Sequence, residues 1–116
     1  MTKDVTIIFK SPPSSPSKVS EALRIAVAMI GMDIMPNILF CCDGVYCLIT
    51  RGKKRSQEYN EYLRSVADLA GVHVLSDSLK ERGLNLSDLE KTLAPHIISL
   101  EEASQIISKS VTVFAL

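Results

Sequence analysis

Three cysteines are the residues of this chain best suited to covalent chemistry. Cys41, Cys42 and Cys47 lie in one short stretch, on either side of an Asp43-Gly44 turn that follows an apolar run. A thiol becomes nucleophilic when a helix N-terminus or a nearby cation lowers its pKa, and it is inert when apolar side chains bury it. We therefore look for chemistry first in this stretch.

The positions of the three thiols along the expected strand suggest different roles. Alternation sends Cys41 and Cys42 to opposite faces of the sheet, unless the strand has already ended. Cys42, the last residue before the turn, is the best candidate for a reactive thiol, and we expect Cys41 to pack like a small hydrophobic residue. Cys47 falls on a helix-like segment. The alternative that all three are simply buried small residues stays open.

Other uses of cysteine fit the spacing poorly. A disulfide between adjacent Cys41 and Cys42 would be strained, and an odd number of cysteines indicates free thiols in a reducing compartment. The spacing does not match the paired C-x₂-C of structural zinc sites, and His73 and His96 stand at no ligand spacing. A structural role is the more common one for each histidine. The chain also lacks Gly-x-Gly-x-x-Gly and Walker motifs, so we predict no metal and no cofactor.

Composition indicates a single domain over residues 1–116 with an aliphatic core, because 47% of the 116 residues are apolar and only 5% aromatic. Thirteen basic residues balance thirteen acidic ones, so there is no general attraction to nucleic acid or anionic membranes. The basic run Arg51–Arg55 could contact RNA phosphates, although a solvated loop is its more common meaning. Lys80, Glu81 and Arg82 are typical of helix-surface charge.

Targeting signals are also lacking from the sequence. The N-terminus has no secretory signal pattern, and no apolar run approaches the roughly 20 residues that span a bilayer. We therefore expect a cytoplasmic protein without membrane contact.

Apolar patterns alternate between strand and helix periods, which predicts a three-layer α/β/α domain with a five-stranded, mainly parallel sheet. The expected strands are Val5–Phe9, Ile38–Cys42, Val72–Leu75, Pro95–Ile98 and Val111–Leu116. The expected helical segments are Lys18–Ile30, Val45–Thr50, Gln57–Ala70, Ser76–Arg82, Leu86–Leu93 and Leu100–Lys109. The terminal strand is so apolar that we expect it to be buried in the sheet or against a partner subunit.

Several polar residues and glycines are expected to define the helix ends. Ser17, Ser56 and the Ser76-Asp77 pair are expected N-caps, and Gly31, Gly71 and Gly83 expected stops. Ser87-x-x-Glu90 and Ser99-x-x-Glu102 are capping-box signatures. In the second long helix, Tyr59, Tyr62, Leu63, Val66 and Leu69 are predicted to mark the buried side.

The carboxyl ends of parallel strands meet at one edge of the sheet. Ligands and reactive groups gather at such an edge because strand ends and helix starts leave backbone donors unpaired. We expect a cleft there around Cys42. The residues expected to line it are Ser11, Asp43, Gly44 and Ser76.

Three motifs together indicate a resemblance to a known protein family. They are Cys42-Asp-Gly-Val-Tyr46 after the second strand, Ser76-Asp-Ser-Leu-Lys-Glu-Arg-Gly-Leu84 after the third, and the final Val-Thr-Val-Phe strand. In this order and spacing they resemble the DsrE/DsrF/DsrH family of small sulfur-relay proteins over nearly the whole chain. The first two are most similar to the DsrF/TusC branch. Phe-Lys-Ser-Pro after the first strand and His-Val-Leu before Ser76 are also similar to the DsrH/TusB branch.

The resemblance implies a function and a set of partners. It implies a role in passing persulfide sulfur between proteins, for tRNA thiolation or sulfur oxidation, and assembly into homo- or hetero-oligomers with related subunits. A sulfur-carrier protein would be a further partner, and tRNA would be involved only indirectly.

The resemblance also places the sulfur-accepting cysteine of catalytic members at the end of the third strand, which adds Leu75 to the expected cleft. Leucine cannot hold a persulfide. Either the chain is a non-catalytic subunit, or Cys42 has taken over the task, so the activity is sulfurtransferase-like at most. Two other classes stay open, an interaction or scaffold protein and a small-ligand-binding regulator on the same fold.

Overall fold

A parallel five-stranded sheet forms the centre of the protein. The structure, a computed structural model, describes residues 4–12, 16–49 and 57–116. The strands are β1 (Val5–Phe9), β2 (Asn37–Phe40), β3 (His73–Leu75), β4 (His96–Ile98) and β5 (Thr112–Ala115). Their order is β4-β3-β2-β1-β5, and every neighbouring pair is parallel. The predicted α/β architecture is confirmed.

The strands alternate with helical segments along the chain. The α-helices are α1 (Pro16–Gly31), α2 (Gln57–Leu69), α3 (Ser76–Glu81) and α4 (Leu100–Ser108). Short 3₁₀ turns form at Leu86–Asp88 and Lys91–Leu93. A longer 3₁₀ segment, Cys42–Leu48, follows β2 directly, and we name it the thiol turn.

Side-chain alternation along the strands divides the core into two layers. On one face, buried Ile7, Phe9, Ile38 and Phe40 pack beneath α1 and α2. The rings of Phe9 and Phe40 stack there with their centroids 4.6 Å apart. On the other face, a smaller cluster around Leu39 packs against α4. Burying each such large apolar side chain contributes about 1.5–3 kcal/mol, so the α1/α2 layer supplies most of the packing energy.

The predicted caps are right at α4 and wrong at two other sites. Ser99 Oγ accepts a hydrogen bond from Glu102 N at 3.1 Å, which forms the predicted capping box. The Ser87-x-x-Glu90 box does not form; the capping box of that turn pairs Asn85 with Asp88. At α3, Ser76 is the first helical residue and does not cap it.

The prediction of a continuous helical segment over Leu86–Leu93 is also wrong. Leu89 is buried and extended, with ψ 147°. It bridges Ile49, and Glu90 N donates to Leu48 O at 2.9 Å, so a contact with the end of the thiol turn interrupts the helix.

The ends of α1 and α2 differ in part from expectation. α1 begins at Pro16, a favoured first helical residue, so Ser17 lies inside the first turn and not before it. Gly31 is the last helical residue, and the left-handed residue after it is Asp33, with φ 63°. Gly71, at φ 79°, follows α2 as predicted. Ser56 lies outside the described residues.

The buried side of α2 is shifted by one residue at its end. Ala70 fills the last core position, which leaves Leu69 58% exposed rather than buried as predicted. Tyr59, Leu63 and Val66 are buried as expected.

β5 forms an edge of the sheet rather than a buried strand. It pairs with β1 alone, and its four side chains are exposed, so its predicted burial in the sheet is wrong. Val111 and Phe114 are 81% and 44% exposed. Burial of this strand against a partner stays a prediction.

The thiol turn crosses directly over the end of β1 at Gly44. A Cβ atom on Gly44 would lie 1.9 Å from Phe9 O and 2.6 Å from Phe9 C, so no other residue fits. Cys41 N donates to the same Phe9 carbonyl at 3.1 Å, and Gly44 N donates to Cys41 O at 2.9 Å. The end of β1 and the turn after β2 are thereby fixed to each other.

We expect Gly44→Ala to lower the free energy of unfolding by about 3 kcal/mol, because backbone atoms must separate to admit the methyl group. Gly31→Ala is the matched control, since a Cβ atom there has no described neighbour within 4 Å. Its effect should stay within about 1 kcal/mol. Urea denaturation measures both, and equal midpoints for the two variants would contradict the packing constraint.

Candidate thiol site

The carboxyl edge of the sheet brings the sequence-predicted residues to one end of the molecule. Ser11 follows β1, Asp43 and Gly44 belong to the thiol turn after β2, and Leu75 and Ser76 form the junction of β3 with α3. Lys10 N and Ser11 N donate to Leu116 O at 2.8 and 3.1 Å, which ties the end of β5 to this edge as well.

The three thiols, all free, differ sharply in exposure. Cys42 is exposed, Cys41 is half-buried and Cys47 is fully buried. Cys47 Sγ donates to Ser11 O at 3.7 Å, and Cys47 O accepts from Tyr59 Oη at 3.4 Å, so this residue links three elements. Cys42 is the accessible thiol at the sheet edge.

The exposure of Cys42 comes from its backbone conformation rather than from strand alternation. β2 ends at Phe40, two residues earlier than predicted, and Cys41 is still extended at φ −146°. Cys42 adopts a left-handed φ of 53°, which costs a non-glycine residue about 1–2 kcal/mol. Its N–H donates to Ser78 Oγ at 2.9 Å, and this hydrogen bond offsets part of that cost.

α3 and its C-cap contribute two residues to the site, Ser78 and Arg82, that the sequence did not indicate. Ser78 is only 4% exposed and accepts the Cys42 N–H. Arg82 Nε donates to Asp43 Oδ1 at 3.1 Å, and Arg82 Nη2 forms an ion pair with the same oxygen at 3.1 Å. Arg82 Nη1 donates to Ser78 O at 3.2 Å. The local sequence indicated only helix-surface charge at Arg82. The four-residue spacing of Ser78 and Arg82 is the sequence signal that could have indicated this pair, because residues four apart lie on one face of a helix.

The surroundings of Cys41 raise the pKa of its thiol. Burial, and then the charge and hydrogen bond of Cys42, raise the pKa of Cys41 from 9.0 to about 11, against the opposing effect of Lys10 and Arg82. Cys41 therefore keeps its proton at neutral pH.

Arg82 stays fully charged. Partial desolvation lowers the pKa of Arg82, but the hydrogen bond and charge of Asp43, together with the charges of Cys42 and Tyr46, outweigh it and raise the pKa above its usual value. A permanent cation therefore lies within electrostatic range of Cys42.

Leu75 occupies the end of β3, and its half-buried side chain packs with the α4-side cluster. Phe40 and Val74 form the last β2–β3 pair, so Cys41 and Leu75 each follow it by one residue. His73 and His96 are paired on neighbouring strands with ring centroids 5.7 Å apart. Within residues 4–12, 16–49 and 57–116, no three His, Cys, Asp or Glu side chains cluster as a metal site would require.

The remaining predictions about partners concern the basic run and the membrane. The run Arg51–Arg55 lies outside the described residues, so the prediction of RNA contact there is untested. In the part of the chain that the structure describes, no helix is long and apolar enough to cross a bilayer.

Comparison with known proteins identifies the family. The model of the DsrE/DsrF-like family matches residues 3–116. The chain belongs to the DsrE/DsrF-like family. The resemblance found in the sequence is thereby confirmed, and this DsrE/DsrF-like chain departs from the expected pattern at Leu75, where catalytic members were expected to carry cysteine.

Solved structures of other proteins share the fold. The ychN protein from E. coli superposes with a TM-score of 0.79 at 16% identity, covering 99% of this chain and 100% of its own. MTH1491 from Methanobacterium thermoautotrophicum, a protein of unknown function, gives a TM-score of 0.59 at 17% identity, covering 97% and 96%. At these identities the likeness shows the fold alone. No curated protein matches at a significant level.

We expect iodoacetamide at pH 8 to alkylate Cys42 first, Cys41 slowly and Cys47 only after denaturation. The order follows the exposure of the thiols and the retained proton of Cys41. Tandem mass spectrometry locates the modified residue at each time point. Cys42→Ser should remove the fast phase, and early modification of Cys47 would contradict the burial of that residue.

We also expect the free energy of unfolding to fall between about pH 9 and pH 11. The folded state holds the Cys41 proton to a higher pH than the unfolded chain does, so this stability is present below pH 9 and lost as pH rises. Because the side chain is only half-buried, we expect a loss of about 1 kcal/mol. Denaturation of wild type and Cys41→Ser at both pH values measures it, and equal losses in the two proteins would contradict it.

Proposed function

We propose that this DsrE/DsrF-like protein is a subunit of an intracellular sulfur relay and carries persulfide sulfur on Cys42. The observation that carries the proposal is the exposed Cys42 thiol at the carboxyl edge, next to the strand whose last residue is Leu75. The charge of Arg82 favours the anionic sulfur that such transfer requires. Cys42 then takes the place of the cysteine that the family resemblance led us to expect at position 75.

The proposed transfer needs no added oxidant. The Cys42 thiolate attacks the outer sulfur of a donor persulfide, and a new S–S bond forms on Cys42. The S–S bond of the donor breaks, and its electron pair leaves with the donor thiolate. The transferred sulfur atom keeps its oxidation state, and a second thiolate of an acceptor protein removes it by the same reaction.

The partners we propose are related family subunits and a sulfur-carrier protein. The exposed apolar side chains of β5, with Val113 40% and Phe114 44% exposed, support an assembly of subunits, as does the 81% exposed Val111 just before the strand. The three free thiols are suited to a reducing cytoplasm, where we place the protein. tRNA would receive the sulfur indirectly, through later carriers.

A second candidate is a non-catalytic subunit that only binds its partners. Leu75 favours it, because it leaves the end of β3 without a thiol. In that case Cys42 would carry no sulfur, and the same experiment separates the two functions.

We expect the reduced protein to gain about 32 Da, one sulfur atom, after treatment with a small-molecule persulfide donor and removal of the excess. Cys41→Ser should gain the same mass and Cys42→Ser none, as measured by intact-protein mass spectrometry. Reversal by dithiothreitol confirms a sulfane sulfur. Equal gain in wild type and Cys42→Ser would exclude Cys42 as the carrier, and no gain in any protein would favour the non-catalytic subunit.

A further inference from the structure

α3 and its C-cap residue Arg82 are attached to the first two residues of the thiol turn. Ser78 Oγ accepts the N–H of Cys42 itself at 2.9 Å. Arg82, one helical turn later, holds the carboxylate of the next residue, Asp43, through two nitrogens at 3.1 Å. Two anchors four residues apart therefore hold Cys42 and the residue after it.

The anchors also fix Arg82 in place. Nε and Nη1 donate hydrogen bonds at 3.1 and 3.2 Å, so two of the five guanidinium N–H groups have protein acceptors, and Nη2 forms an ion pair with Asp43 Oδ1 at 3.1 Å. The Arg82 side chain is 20% exposed, whereas that of Arg24, paired with Glu21 on α1, is 61% exposed. A side chain held this firmly keeps its charge at one place, and a guanidinium does not lose that charge at any accessible pH.

The charged and titratable groups around Cys42 come from four parts of the chain. Lys10 follows β1 and Cys41 follows β2. Asp43 and Tyr46 belong to the thiol turn, Glu81 is the last residue of α3, and Arg82 is its C-cap. Glu81 Oε2 lies 3.6 Å from Arg82 Nη1 and is largely exposed, so water screens it. Asp43 is 55% exposed and directly bonded to Arg82. Among these groups, Arg82 is the cation that is both largely buried and fixed.

We propose that Arg82 is the positioning residue that sets the reactivity of Cys42. Anchored by Asp43 and Ser78, it holds a permanent positive charge beside the thiol turn and stabilises an anionic sulfur on Cys42. For the thiolate the inference rests on the anchored position of Arg82 and its charge interaction with Cys42; for a persulfide anion it rests on the proposed function as well. Arg82 acts through charge and position and takes no part in bond making.

The test measures the rate of Cys42 alkylation by iodoacetamide against pH, in 50 mM salt, for wild type and three variants. Arg82→Gln should raise the midpoint of the profile by about one pH unit, because the thiolate loses its cation. Arg82→Lys keeps the charge and should raise it by less than half as much. Arg24→Gln, which breaks an exposed ion pair within α1, should leave it unchanged.

Salt provides a measurement that needs no variant. The Debye length falls from more than 10 Å to about 3 Å at 1 M salt, so the wild-type midpoint should rise toward that of Arg82→Gln. Circular dichroism and urea denaturation establish that each variant is folded. Equal midpoints for Arg82→Gln and Arg24→Gln, or a wild-type midpoint that salt does not move, would overturn the role of Arg82.

The experiments distinguish a failure of the proposed sulfur-carrier function from a failure of the proposed role of Arg82. If wild type shows the midpoint shifts but gains no sulfur from the donor, the role of Arg82 stands for the thiolate and the sulfur-carrier function falls. If Cys42 gains sulfur while the alkylation profiles of all variants coincide, the function stands and Arg82 has no part in it.

Discussion

The contact between Gly44 and the Phe9 carbonyl is the constraint on which the rest of the thiol site depends. One carbonyl oxygen accepts the Cys41 N–H at 3.1 Å and leaves no room for a side chain at position 44. The chain must therefore leave β2 immediately and pass over β1. Cys42 lies at the point of departure, and its left-handed conformation follows from this sharp change of direction.

Much of the fold could be predicted from the sequence because its signals are local. Apolar runs of strand length, helical periodicity and stop residues such as Gly71 all depend on a few neighbouring residues. The Asp43-Gly44 pair was interpreted correctly as a turn, but for an incomplete reason. A turn glycine is usually explained by backbone freedom, whereas Gly44 is required by a contact with residue 9, which no local pattern reveals.

The parts that sequence reasoning missed depend on distant contacts. Cys42 N and Ser78 Oγ are 36 residues apart, and Arg82 and Asp43 are 39 apart. In the sequence, Arg82 is one charge among several on a short helix, and nothing nearby shows that it faces another strand. The Leu86–Leu93 segment was predicted as helix for the same reason, since the contact of Leu89 with Ile49 lies outside any local window. The anchoring half of the site becomes visible only after β2 and β3 are placed side by side.

The pairing of β2 with β3 also explains why a cysteine after β2 and a cysteine at the end of β3 would lie at the same edge of the sheet. Parallel neighbours end at the same edge, so a partner protein that approaches the end of β3 also reaches the end of β2. The surroundings are different at the two positions. Leu75 packs into the apolar cluster beneath α4, where a leucine adds burial and an anion would be poorly solvated. Cys42 lies at the open edge, where its thiol is accessible and Asp43, the next residue, holds Arg82 in an ion pair, which is the setting that our proposal of an anionic sulfur on Cys42 requires.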